Sequence, residues 1–306
     1  MQIYMAPLEG ITGFVFRNAY QKYYGGVDKY FTPFITPHTK KNMDERERRD
    51  ILPQNNEGIL LVPQVLTNQA DELISIGKEL QSMGYKEMNL NLGCPSGTVT
   101  AKKKGAGFLD EPRKLDQFFA RYFDKSDMPL SIKTRIGTDD IDEFPEIAAV
   151  YEKYPFTEVL IHPRVGKEFY RGTPHVDVFV EMLNHTRHSL CYNGDIFSLE
   201  DYKKMKERCP ACEKYMLGRG LLWNPQLVSD IRENEEHAFD RARFQEFHDE
   251  LLMGYAAYLS GDRNVLFRMK ELWGYWDELF QEDKKLRKQI RKANTLEEYR
   301  MCVKQL

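Results

Sequence analysis

The residue types best suited to chemistry fall in a few short segments, and the sharpest is Asn91-Leu92-Gly93-Cys94-Pro95-Ser96. An alternating run beginning at Glu87 ends at Asn91, and that period of two reads as a strand. Gly-Cys-Pro continues a strand poorly, because proline has no amide donor and drives the preceding residue out of helical dihedrals. Cys94 is therefore expected on a shaped turn at the C-terminal end of a strand, where α/β proteins keep their chemistry. The segment alone leaves two readings, a reactive thiol or a buried turn residue, since free cysteines are among the most buried types. A polar stretch from Gly97 to Gly107 follows, expected to be mobile, with Lys102, Lys103 and Lys104 inside it.

Further apolar runs end in cationic or hydrogen-bonding groups: Lys133 with Arg135, His162 with Arg164, Asn193-Gly194-Asp195, and Gly218-Arg219-Gly220. The glycines permit close approach of backbone to a ligand. Amides exposed in such loops, together with Arg219, would make a phosphate cradle. A lysine and a histidine reaching one pocket suit an anionic, redox-variable ring, because a nearby cation stabilises the charge gained on reduction. Cys209-Pro210-Ala211-Cys212 has CxxC spacing, yet no second CxxC or CxxH accompanies it. A zinc ion there would be two ligands short, so no metal is expected. GxSxG, Walker and HExxH motifs are absent from the sequence.

These groups need a scaffold that brings strand ends together. Short apolar runs end near Met5, Phe31, Pro63, Asn91, Thr134, Ile161, Tyr192 and Leu217, and helix-length segments separate them. Eight βα units of this kind fit a (β/α)8 TIM barrel of the α/β class, with a doubly wound sheet as the alternative. Gly58 to Pro63 is read as the third strand with Gln64 at its end, and Lys40 to Asp50 as a solvated helix or excursion. Beyond about Glu235 the strands stop. Phe244, Phe247, Leu251 and Tyr255 form one helical stripe, and Leu266, Met269, Trp273 and Trp276 a second. Residues 1–235 are thus expected to be the barrel and 236–306 a small C-terminal helical domain. Its basic run, Lys284 to Lys292, reads by itself as a solvated helix face.

Composition sets outer limits. A chain of 306 residues with 42% hydrophobic and 30% charged side chains can bury a large core. Its formal net charge of -3 excludes a generally basic protein without excluding a basic groove. Five sparse cysteines fit a reducing cytoplasm better than a disulfide framework. Neither a signal peptide nor an apolar window long enough to span a membrane is visible.

Assembled, these segments resemble the flavin-dependent tRNA-dihydrouridine synthases over essentially the whole chain. The resemblance rests on Met5-Ala6-Pro7-Leu8-Glu9-Gly10-Ile11-Thr12, Asn91-Leu92-Gly93-Cys94-Pro95-Ser96 and Lys104-Gly105-Ala106-Gly107. It extends through Ile132-Lys133-Thr134-Arg135, Ile161-His162-Pro163-Arg164, Asn193-Gly194-Asp195-Ile196 and Leu217-Gly218-Arg219-Gly220. It implies one FMN at the barrel mouth, NADPH as reductant and tRNA as substrate, gripped in part by the C-terminal helices. By the same resemblance Ala6 and Pro7 line the flavin ring, and Gln64 and Lys133 contact its polar edge. His162 lies by ring and phosphate, while Asn193, Gly194, Asp195, Gly218 and Arg219 hold the phosphate. The resemblance further implies that Asn91 contacts the target base and that Arg135 belongs to the base or flavin pocket. Lys102, Lys103 and Lys104, with the basic run 284–292, are the candidates for phosphate contacts to the RNA.

The reaction so implied reduces the C5–C6 bond of specific uridines in tRNA. Hydride reaches C6 from the reduced flavin, and a proton reaches C5 from Cys94 as a neutral thiol. Three departures blur the subfamily: Gly13 after Thr12, Pro163 between His162 and Arg164, and Tyr192 before Asn193. Two other readings stay open, an FMN-dependent barrel oxidoreductase of free pyrimidines or enoates, and a non-catalytic RNA-binding protein. The modified position and the oligomeric state, a monomer included, are not set by the sequence.

Overall fold

A computed structural model describes residues 1–37 and 42–304. Its core is a parallel sheet of nine short strands: β1 (Gln2–Met5), β2 (Lys29–Phe31), β3 (Leu61–Val62), β4 (Gln64–Val65), β5 (Met88–Leu92), β6 (Leu130–Arg135), β7 (Val159–His162), β8 (Leu190–Tyr192) and β9 (Lys214–Leu217). They run in the order β3-β2-β1-β9-β8-β7-β6-β5-β4. β3 and β4 are two halves of one stave, interrupted at Pro63, which has no N–H to give to a ladder. One half pairs with β2 and the other with β5, so the two ends of the order meet and the barrel closes. Gln64 therefore lies inside the continued stave and not at its end. The doubly wound alternative is excluded by this closure.

Alternation along β5 shows how the sequence builds the wall. Met88, Leu90 and Leu92 join the core beneath the helices, whereas Asn89 and Asn91, also buried, are held apart from it by their amides. The barrel interior contains a small apolar layer of Tyr4, Phe31, Val62, Leu160, Cys191 and Met216. At the N-terminal floor, buried Glu158 accepts hydrogen bonds from the Tyr4 hydroxyl at 2.7 Å, from Lys29 at 2.8 Å and from Lys214. A carboxylate there is tolerable because its lone pairs are answered by two cations and a phenol.

The helices cover the wall by amphipathic stripes. Pro112–Lys125 starts on proline and buries Leu115, Phe118, Phe119 and Tyr122. Glu45–Ile51, in the stretch expected as a solvated helix or excursion, is a helix, tied in more firmly than its charge suggests. Asp44 and Glu47 form a capping box, Ile51 is fully buried, and Asp50 pairs with buried Arg17 at 3.0 Å. Lys40 and Lys41 of that stretch lie outside the described residues.

After β9 every described element is helical. Arg241–Tyr258 packs on Phe14–Tyr23, with Phe247 edge-on to Phe16 at 5.8 Å and to Tyr24 at 5.2 Å. Phe244 meets Trp276 at 5.0 Å, and Trp273 donates its indole N–H to Tyr299 at 2.8 Å. Among the described residues no helix is long and apolar enough to cross a membrane.

Candidate active site

The C-terminal ends of the strands converge on a cleft of about 460 Å³. Nine residues singled out in the sequence line it: Ala6, Pro7, Lys133, His162, Asn193, Gly194, Asp195, Gly218 and Arg219. Lys133 lies in the last half of β6 and the others at or just past the ends of β1, β7, β8 or β9, so parallel strands of matched register deliver them to one mouth. A more apolar cavity of about 670 Å³ lies beside the β1 exit loop and Arg241–Tyr258. Its charges are paired with neighbours, Arg46 with Glu9, Asp50 with Arg17 and Arg268 with Glu271.

Lys133 is the most telling of the residues at the barrel mouth. Its ammonium has no hydrogen-bond or ion-pair partner among the described residues, and burial together with Arg135 lowers its pKa to about 8. Lys133 is part-buried and lines the cleft, and an anion there would offset the cost of its desolvation. His162 is held well below its ordinary pKa by burial and by Arg135, Lys133, Arg164 and Arg219. Arg164 lies 3.1 Å from its Nε2. A guanidinium only donates, so Nε2 is the acceptor and the proton of the neutral ring sits on Nδ1.

At the far end of the cleft, Asp195 is clamped between two arginines. Arg164 reaches it at 3.0 and 2.5 Å, and Arg219 at 2.8 Å. The carboxylate thus fixes the guanidinium of Arg219, which also lies 4.4 Å from the Tyr170 ring and 5.2 Å from Phe197. The N–H groups of Gly194 and Asp195 make no hydrogen bond among the described residues. Two bare amides beside a fixed guanidinium are the chemistry that an anion would need there.

Cys94 does not itself line this cleft but lies within electrostatic reach of Lys133 and Arg135. Burial pushes its thiol up, against the opposing pull of the Ser96 backbone and the two cations. The turn is anchored by Asn91, whose Oδ1 accepts from the N–H groups of Gly93 at 3.0 Å and Cys94 at 2.9 Å. Asn91 in turn donates to Gln64 at 2.7 Å, and Gln64 donates to Asn89 at 2.8 Å. Gln64 and Asn91, singled out for ring and base contacts, are thereby engaged in an amide ladder that holds the Cys94 turn. Arg135 is likewise committed to backbone, donating to Gly93, Val165 and Phe169. Of the three loop lysines, Lys103 pairs with Asp110 and Lys104 approaches Glu72 at 4.0 Å, which leaves Lys102 exposed and unpaired among the described residues.

Tyr170, with Phe197, is a cleft residue that sequence reasoning missed. It is 49% exposed on an irregular loop between Gly166 and Gly172, where no periodicity marks it. Arg164 is visible at its strand exit in the sequence, but its role in orienting Asp195 needs the fold.

A family model described as dihydrouridine synthase matches residues 4–305. The chain belongs to the dihydrouridine synthase family. It is 27% identical over 241 residues to a tRNA-dihydrouridine(16) synthase of Neisseria meningitidis serogroup B, covering 76% of this chain and 72% of that one. A tRNA-dihydrouridine(16) synthase of Pseudomonas syringae pv. tomato is also 27% identical, with 76% and 74% covered. Among solved structures, a variant of NCR from Zymomonas mobilis superimposes with a TM-score of 0.54 at 11% identity, covering 84% of this chain and 94% of that one. Morphinone reductase does so at 0.53 and 10%, covering 79% and 88%. At such identities these two speak for the barrel alone. Family membership makes this chain a flavin-dependent oxidoreductase for a pyrimidine-type substrate. Among its described residues no cluster of side chains could hold a metal ion.

Proposed function

We propose that the protein is a tRNA-dihydrouridine synthase, reducing the C5–C6 bond of uridines in tRNA with FMN and NADPH. The observation that carries this reading is the unpartnered Lys133 beside the protonated thiol of Cys94, at the mouth of a dihydrouridine-synthase barrel. The residues fit FMN: the Arg219 guanidinium and the bare amides of Gly194 and Asp195 suit its phosphate. Lys133 suits the anionic edge of its ring, His162 offers a neutral Nδ1 donor, and Ala6 and Pro7 give an uncharged wall. FMN, when bound, supplies the hydride, and NADPH restores it.

Cys94 keeps its proton on Sγ through neutral pH and delivers it to C5 of the pyrimidine. Asn91 and Gln64 hold the turn from which it acts. The target base has to leave its stack to reach this depth, so the RNA must be gripped through its backbone. We assign that grip to residues 236–306, with 1–235 as the catalytic domain, and to Lys102 beside the Cys94 turn. The reading places the enzyme in the cytoplasm, where its substrate is.

Purified protein should be yellow with FMN and should form dihydrouridine in tRNA from NADPH while leaving free uridine unreduced. Cys94→Ala should keep its FMN and lose about 10²- to 10⁴-fold in turnover. Equal reduction of free uridine, or a Cys94→Ala rate within a few-fold of the parent, would defeat the reading.

A further inference from the structure

Arg135 stands at the end of β6 and is only 1% exposed, and three of its five N–H donors go to backbone carbonyls. Its Nε donates to the carbonyl of Gly93 at 2.9 Å, the residue just before Cys94. Its two terminal nitrogens donate to Val165 at 2.8 Å and to Phe169 at 2.6 Å, both on the loop after β7. Phe169 has a φ of 53°, an unfavourable backbone for a bulky residue, and the Arg135 bond holds its carbonyl in place. The next residue, Tyr170, lies over the cleft, 5.6 Å from the Arg135 guanidinium and 4.4 Å from that of Arg219.

We propose that Arg135 is a positioning residue that ties the Cys94 turn to the Tyr170 strap, so that the two segments adopt or leave the closed arrangement together. The physical reason is donor satisfaction. If the strap lifts, the guanidinium loses two of the three carbonyls it serves, and a buried guanidinium without acceptors is strongly unfavourable. It must then follow the strap outward and release Gly93. Lysine at this position would keep the cation but not the three-way fork. Functionally, the thiol is in place only when the cleft is covered. That consequence rests on Cys94 being the proton donor, whereas the coupling itself is measurable without any turnover.

The test is the rate at which iodoacetamide labels Cys94 in the FMN-loaded protein, read from the mass of the peptide containing it. Tyr170→Ala should accelerate labelling roughly five- to a hundredfold, the usual range for coupled segments. Arg135→Lys should accelerate it comparably, and Tyr170→Ala should add nothing in the Arg135→Lys background. The pH profile of labelling separates access from thiol acidity, since the cation is retained. Hydrogen exchange should show residues 93–107 and 165–172 losing protection together while the core strands keep theirs. Equal effects of Tyr170→Ala in both backgrounds, or loss of protection in one segment only, would overturn the proposal. Should Arg135→Lys fail to fold, Tyr170→Ala alone still decides, because unchanged labelling of Cys94 contradicts the tie.

Discussion

Lys133 and Cys94 face the same chemistry with opposite titration behaviour. The Lys133 ammonium is brought down to about 8 by burial and by Arg135, while burial raises the Cys94 thiol. An anion binds the charged form of the lysine, so affinity must be lost as pH rises through that lowered value. The FMN dissociation constant should be level below pH 8 and then climb toward about tenfold per pH unit, followed by flavin fluorescence on titration. Lys133→Met should weaken binding and flatten that dependence; a persisting break near pH 8 in this variant would assign it elsewhere. Cofactor binding should therefore weaken on the alkaline side before the thiol gives up its proton. Both residues were legible as strand-exit groups, because their neighbours alternate. The neutral thiol is already expected from the ordinary cysteine pKa. That Lys133 is left without a partner among the described residues was not legible, because that depends on what the closed barrel brings near it.

At the scale of elements, the stretch after Cys94 is built to close back on it. Gly97–Thr100 forms one helical turn and Gly105–Phe108 another, and the Ala106 N–H returns to the Cys94 carbonyl at 3.0 Å. The polar composition suggests a mobile loop, whereas Ala106, Phe108 and Leu109 are buried. Gly105 makes the reversal possible: its φ is +57°, and a Cβ there would stand 2.7 Å from the Cys94 carbonyl oxygen. Gly105→Ala should cost about 1–3 kcal/mol in denaturant unfolding and displace the turn. A variant with parental stability and parental Cys94 labelling would show that the turn tolerates a side chain. The broken stave at Pro63 has the same character, since the missing N–H was readable but the continuation into Gln64 and Val65 depends on pairing with β5.

For the whole molecule, the run Lys284–Lys292 gathers positive charge in one stretch of a chain whose net charge is -3. Along Lys284–Lys292, Leu286 and Ile290 are buried, while Lys284, Lys285, Lys288 and Lys292 are exposed and unpaired among the described residues. Arg291, by contrast, pairs with Asp277. Replacing those four lysines by glutamine should weaken tRNA binding and reduce its log–log salt slope by up to about 0.9 for every phosphate no longer neutralised. FMN content and NADPH oxidation without tRNA should be unaffected, and an unchanged salt slope would remove this helix from the RNA path.

By itself the sequence determined the strand exits, the Gly-Cys-Pro turn and the helical stripes, because alternation, 3.6-residue periodicity and proline or glycine dihedrals are local properties. Only the tertiary structure decided which polar groups remain available. Gln64, Asn91 and Arg135 are engaged by partners 25 to 42 residues away, Tyr170 lies over the cleft, and Lys133 is left without a partner among the described residues. Hydrogen-bond satisfaction depends on what the closed barrel brings within about 3 Å, and no spacing along the chain records that.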